Sequence, residues 1–84
     1  MKYKNLSASA LVKTGGGTVK GVVVNSHTSG TLKFWDNTAG STTVLFNTIT
    51  LAVGERWIPL FDACFGVGLY LTIGGTADVT VLYD

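Results

Sequence analysis

Apolar and polar residues alternate with period two along most of the chain, and no stretch sustains apolar positions at i, i+3, i+4 and i+7. The pattern predicts strands and no significant helix. Seven segments carry it: Leu6 to Lys13, Thr18 to Ser26, Thr31 to Asp36, Thr43 to Leu51, Glu55 to Leu60, Phe65 to Ile73 and Ala77 to Tyr83. Short clusters of Gly, Asn, Ser and Thr separate them, among them Thr14-Gly-Gly-Gly17, His27-Thr-Ser-Gly30, Asn37 to Thr42, Ala52-Val-Gly54 and Gly74-Gly-Thr76. These residues tolerate positive φ and suit tight hairpins, so sequence neighbours are expected to pair antiparallel.

The parity of each segment names its core face. Phe65, Val67, Leu69, Leu71 and Ile73 share one side of the sixth segment; Ala77, Val79, Val81 and Tyr83 share one side of the seventh. In the fourth, Val44 and Phe46 share a parity that passes to Ile49 and Leu51, which predicts a bulge at Asn47 and Thr48. Val22, Val23 and Val24 are apolar on both parities, as in a strand covered on both sides or one that meets a partner. About seven to eight short strands without a helix bury one face of each strand only as a sandwich or barrel. The expected fold is all-β, an antiparallel two-sheet sandwich of jelly-roll or immunoglobulin-like kind. It forms one domain over residues 1–84, with Met1 to Asn5 outside the alternation as a candidate N-terminal arm.

Composition changes the picture in one respect. A chain of 84 residues and 8.8 kDa exposes about 4,800 Å² when folded against about 12,800 Å² unfolded, so its core is small. Yet the chain is 46% hydrophobic and only 13% charged, against about 25% charged in an ordinary soluble domain. Part of the apolar surface is expected to be covered by copies of the chain or by a partner. Six basic residues against five acidic ones, scattered without a run of either sign, lack the cationic footprint of a nucleic-acid binder. No apolar run approaches the ~20 residues that span a bilayer, and Asn5, Ser7, Ser9 and Lys13 interrupt any signal-peptide core, so synthesis and retention in the cytoplasm are expected.

Candidate chemistry is sparse. Cys64 is the one cysteine and His27 the one histidine, so neither a disulfide nor a multi-ligand zinc site is expected, and no cofactor is implied. His27 lies in the polar turn Asn25 to Gly30 and reads as a solvated loop residue. Asp36, Glu55, Asp62, Asp78 and Asp84 fall at strand ends or turns, where carboxylates cap backbone N–H groups. The glycines of Thr14 to Thr18 precede a strand, whereas a phosphate-binding loop opens a helix and continues into Lys-Ser or Lys-Thr. No catalytic grouping emerges, and the expectation is a protein that is not an enzyme.

Aromatic residues on the polar parity are more informative. If Leu32 and Phe34 face the core, Trp35 points outward beside Lys33; if Ile58 and Leu60 do, Trp57 points outward, with Arg56 at the start of that strand. Tyr70 shares a face with Gly66, Gly68 and Thr72, where missing side chains admit another backbone. Large aromatics with an Arg nearby are common anchors of interfaces, which makes Trp35, Arg56, Trp57 and Tyr70 the candidate contact residues.

The succession Gly21-Val-Val-Val-Asn25, Thr31-Leu-Lys-Phe-Trp-Asp36, Val44 to Leu51, Gly54-Glu-Arg-Trp-Ile-Pro59, Gly68-Leu-Tyr70 and Val79-Thr-Val-Leu-Tyr83 resembles the small all-β virion proteins of tailed bacteriophages. The resemblance covers residues 19–83 and rests on strands and turns, so no catalytic residue comes with it. It implies a capsid decoration or cement protein, a homo-oligomer and specifically a homotrimer, seated on the major capsid protein at the virion surface. The alternative is a carbohydrate-binding or host-attachment module of a phage tail or fibre, whose aromatics stack on sugar rings.

Overall fold

A computed structural model describes all 84 residues. It is all-β, without helix, and has six strands: β1 (Lys2–Leu6), β2 (Ala10–Thr14), β3 (Gly17–Trp35), β4 (Val44–Thr50), β5 (Trp57–Phe65) and β6 (Gly68–Tyr83). Hydrogen bonding joins all six into one antiparallel sheet, not two. The count falls from seven to six because segments read as separate strands are continuous. The second and third merge into β3, and β6 runs through Gly74-Gly-Thr76 without a break. In the other direction, Ser7 to Ser9 divides the first segment, and Lys2 to Asn5 of the stretch Met1 to Asn5 set apart as an arm join Leu6 in β1 along β6.

The long strands cannot be straight. At about 3.3 Å per residue, the 19 residues of β3 would reach about 60 Å, yet the longest dimension of the molecule is 32 Å. β3 and β6 pair along their length and bend together. Their ladder loses register between Thr28 and Thr31, where Ser29 (φ 50) and Gly75 (φ 69) have left-handed backbones. A Cβ on Gly75 would sit 2.3 Å from the Ser29 carbonyl oxygen, so the corner admits only glycine there. Beyond the bend each long strand changes its outer neighbour. The first half of β3 pairs with β5 and the second half with β4; β6 pairs first with β2 and then with β1. Only β3 and β4 form a hairpin between sequence neighbours. The glycine clusters at 14–17, 27–30 and 74–76 are bends or crossings, because chain reversal and chain bending call on the same φ-tolerant residues.

Folding the sheet encloses its inner face. Sixteen buried apolar residues form one core cluster, with Val19, Val22, Leu32, Phe34, Leu69, Leu71, Val79 and Val81 fully buried. Each of those side chains is worth roughly 1.5–3 kcal/mol when removed from water. Parity identifies this face well on β6, apart from Val67, which lies in the β5–β6 turn and is exposed, and Ile73 at the bend and Tyr83 at the strand end, both half-buried. The expected bulge is present: Leu32 pairs with Ile49 and Phe34 with Phe46, so Asn47 and Thr48 together oppose Lys33 alone. β4 is the one strand that contributes no buried side chain. Its Leu45, Phe46 and Ile49 only lean on the core, Phe46 edge-on to Phe34 at 6.3 Å and 83°.

Candidate functional site

The structure divides the four candidate contact residues between two outer faces. On one, Trp35 of β3 lies directly opposite Tyr70 of β6, with Leu11 and Val44 completing the row across β2 and β4. Trp35 donates its indole N–H to Thr72 Oγ1 at 3.0 Å, and the Lys33 ammonium lies 4.4 Å from its ring centroid. The backbone that the small residues around Tyr70 admit is the chain's own: Gly40 of the β3–β4 loop passes within 3.1 Å of Tyr70 and Thr72 when measured from its Cβ position. Trp35 and Tyr70 are consequently half-buried.

On the other face, formed by β1, β6, β3 and β5, the register aligns Tyr3, Leu82, Gly21 and Pro59 in one row and Asn5, Thr80, Val23 and Trp57 in the next. Val22 and Ile58 on the alternate parity are buried, so these rows point outward. Trp57 is 47% exposed and Tyr3 73%. The Trp57 indole leans across Gly21, where a Cβ would meet its Cη2 at 2.3 Å. Beside this apolar band lies a polar one. Asn5 and Asn25 each donate an amide hydrogen to Asp78 Oδ1, at 2.8 and 3.1 Å, and both reach Thr80 Oγ1. Those amides, Asn5 first, hold the Asp78 carboxyl below its ordinary pKa. Arg56 closes the end of the band with a bond from Nη1 to the Asn25 carbonyl oxygen at 3.1 Å.

The edge of this face carries a strained segment. Between the pairs Val19–Ala63 and Gly21–Pro59, β5 has two residues more than β3. Phe61 (φ 60) and Asp62 (φ 56) take left-handed backbones there, and Phe61 is 80% exposed. Lys20, the extra residue of β3 against β6, bonds Asp62 at 2.6 Å and Asp84 at 3.3 Å.

Elsewhere the polar residues serve the backbone. Asp36 accepts from the N–H groups of Gly66, Val67 and Gly68, with Val67 closest at 2.9 Å, and these bonds lower its pKa. It thus caps the β5–β6 turn, as its position suggested. His27 is half-buried and not the solvated loop residue expected. Its Nε2 lies 2.8 Å from the Ala52 carbonyl, which only accepts, so Nε2 carries the proton and Nδ1 receives the Gly30 N–H at 3.5 Å. It borders an open cleft of about 450 Å³ between Val24 to Ser29 and Val53 to Arg56. Cys64 is exposed and unpaired, and no three His, Cys, Asp or Glu residues gather as metal ligands.

Sequence reasoning missed Tyr3, Asn5, Asn25, Phe61, Asp78 and Leu82 as members of an outer face. Parity marks Leu82 and Asp78 as outward; Tyr3 and Asn5 carry no such signal because their strand was unrecognised. Comparison with protein-family models, with curated proteins and with solved structures returns no match.

Proposed function

We propose that the chain is a non-enzymatic structural protein of a tailed-phage virion, a decoration or cement protein that binds and stabilises the assembled head as a homotrimer on the major capsid protein. Its doubled sheet serves as the sandwich of such a subunit. The resemblance over residues 19–83 supplies the class. The observation that carries the oligomer is the flank formed by β4: residues 37–54 hold no charged side chain, β4 leaves Val44 41% exposed and Leu45, Phe46 and Ile49 incompletely buried, and the Trp35–Tyr70 row adjoins it. Depletion of charge around half-buried apolar residues is the composition of an interface centre.

The areas are compatible with this reading. Giving about 800 Å² to each of two neighbours, a standard contact, uses somewhat over a third of the 4278 Å² surface. A trimer seated where capsid subunits meet binds multivalently, and because it binds the assembled shell better than its parts, it stabilises the shell by linkage.

Light scattering on a sizing column tests the oligomer. At micromolar concentration the mass should be three times 8.8 kDa, and Val44→Lys should reduce it to the monomer. Co-sedimentation with emptied heads should retain the parent protein and lose the variant. A parent that is monomeric and does not sediment with heads overturns the proposal.

A further inference from the structure

The outer face of β1, β6, β3 and β5 has the chemistry of a different ligand. We infer that it is a binding platform for a neutral, linear polysaccharide, with Tyr3 and Trp57 stacking on sugar rings and Asn5, Asp78 and Asn25 accepting from hydroxyl groups. This surface is separate from the β4 flank.

Hydrogen-bond direction carries the inference. A carboxylate only accepts, so the bonds from Asn5 and Asn25 to Asp78 Oδ1 fix both amides with their nitrogens turned toward the aspartate. Their carbonyl oxygens are left facing away, and these two oxygens and Asp78 Oδ2 have no partner within the chain. Three acceptors are thereby held in place along one side of the apolar band. A ligand lying on that band meets these three acceptors together with the Thr80 hydroxyl hydrogen and the Arg56 guanidinium, and sugar hydroxyls, which both donate and accept, serve them without charge.

The band itself selects a flat occupant. Trp57 leans over Gly21 on β3, and Tyr3 stands on β1, two strand spacings away. The backbone positions that carry Tyr3 and lie under the Trp57 ring are therefore about 10 Å apart, with Leu82 between them and no pocket beneath. Protein anchors need pockets to fill. The apolar faces of pyranose rings need only aromatic planes, and their hydroxyl edges then reach the acceptors. The carboxylate disfavours uronic and sulfated glycans.

Affinity electrophoresis in gels containing soluble β-glucan, galactomannan, polygalacturonate or heparin tests this, followed by titration calorimetry with neutral β-linked hexasaccharides. At least one neutral polysaccharide should retard the protein, and the two acidic ones should not. Trp57→Ala and Tyr3→Ala should each weaken binding about tenfold, the equivalent of roughly 1.4 kcal/mol. Asn25→Ala should weaken it less, and Val53→Ser, at a fully exposed site outside the band, should bind as the parent does. Circular dichroism establishes that each variant folds. The inference is overturned by no retardation in either neutral gel, by retardation that Trp57→Ala and Tyr3→Ala leave unchanged, by preference for oligo-lysine over sugars, or by a scattering mass that Trp57→Ala lowers while no sugar binds. A monomer that binds sugar removes the decoration reading and leaves this one standing; a trimer on heads that binds none does the reverse.

Discussion

Trp57 rests on Gly21: the far edge of its indole occupies the space that any side chain at 21 would need, and the Ile58 carbonyl oxygen lies 2.7 Å from the same Cβ position. The indole is a movable neighbour and the carbonyl is not, since it belongs to the β3–β5 ladder. Gly21→Ala should therefore destabilise the protein by about 1–3 kcal/mol, the range for overpacking a tight site. Adding Trp57→Ala should recover only part of that loss, because the backbone clash persists. Urea unfolding of the single and double variants measures both terms. Full recovery in the double variant would show that the ring alone limits the site.

Gly54 and Gly75 separate conformational strain from steric exclusion. Both have positive φ, 80° and 69°, but a Cβ at Gly54 meets nothing within 4 Å, whereas one at Gly75 lies 2.3 Å from the Ser29 carbonyl oxygen. Gly54→Ala should lose about 1–2 kcal/mol from the left-handed backbone alone. Gly75→Ala should lose clearly more, because the bends of β3 and β6 must also part. Equal thermal-melting shifts for the two variants would contradict the close approach at the bend.

Leu69, Leu71, Ala77, Val79 and Val81 were legible as core from period-two alternation, because a sheet with one enclosed face repeats its requirement at every second residue. Asn47 and Thr48 were legible as a bulge because the parity visibly changes phase across them. The pairing of β3 with β6 was not legible. Gly30, Gly74 and Gly75 mark bends in that ladder, but their composition is that of a hairpin turn, and register between strands about 50 residues apart leaves no local trace. The outward direction of Trp57 was readable and its bed on Gly21 was not, since that contact depends on which strand lies beside β5. Phe61 was hidden for another reason: aromatic residues almost never take φ near 60°.

The strain at Phe61 makes an unusual forecast. A left-handed backbone costs an L-residue about 1–2 kcal/mol, and Asn bears it more easily than Phe. The ring is 80% exposed, so little burial is lost with it. Phe61→Asn should accordingly raise stability by about 1 kcal/mol, read as an increase of several degrees in the melting temperature. Lys20→Met, which removes the cation from Asp62 and Asp84, should lower it. A loss on Phe61→Asn would mean that the ring packs against the chain in solution.

Acid stability should depend on Asp36. Its carboxylate receives three backbone N–H groups at the β5–β6 turn, Val67 most strongly and then Gly66, and its pKa lies below the ordinary value. A group with a depressed folded pKa contributes stability above its unfolded pKa, about 3.9, and loses that contribution as pH falls through the lower folded pKa. Asp78 and Asp84 are shifted in the same direction and add to the same limb. Lys20, raised first by its bond to Asp62, acts oppositely: its contribution is full below about 10.5 and disappears as pH rises through the folded pKa. The urea midpoint should thus be flat through neutrality, fall below about pH 4 and fall again above about pH 10.5. Asp36→Asn should lower the neutral plateau, because an amide oxygen accepts those N–H groups more weakly than a carboxylate. The gap between variant and parent should close in strong acid, where Asp36 is itself neutral. A gap of constant size from pH 7 to pH 2 would show that the charge of Asp36 contributes nothing to holding the turn.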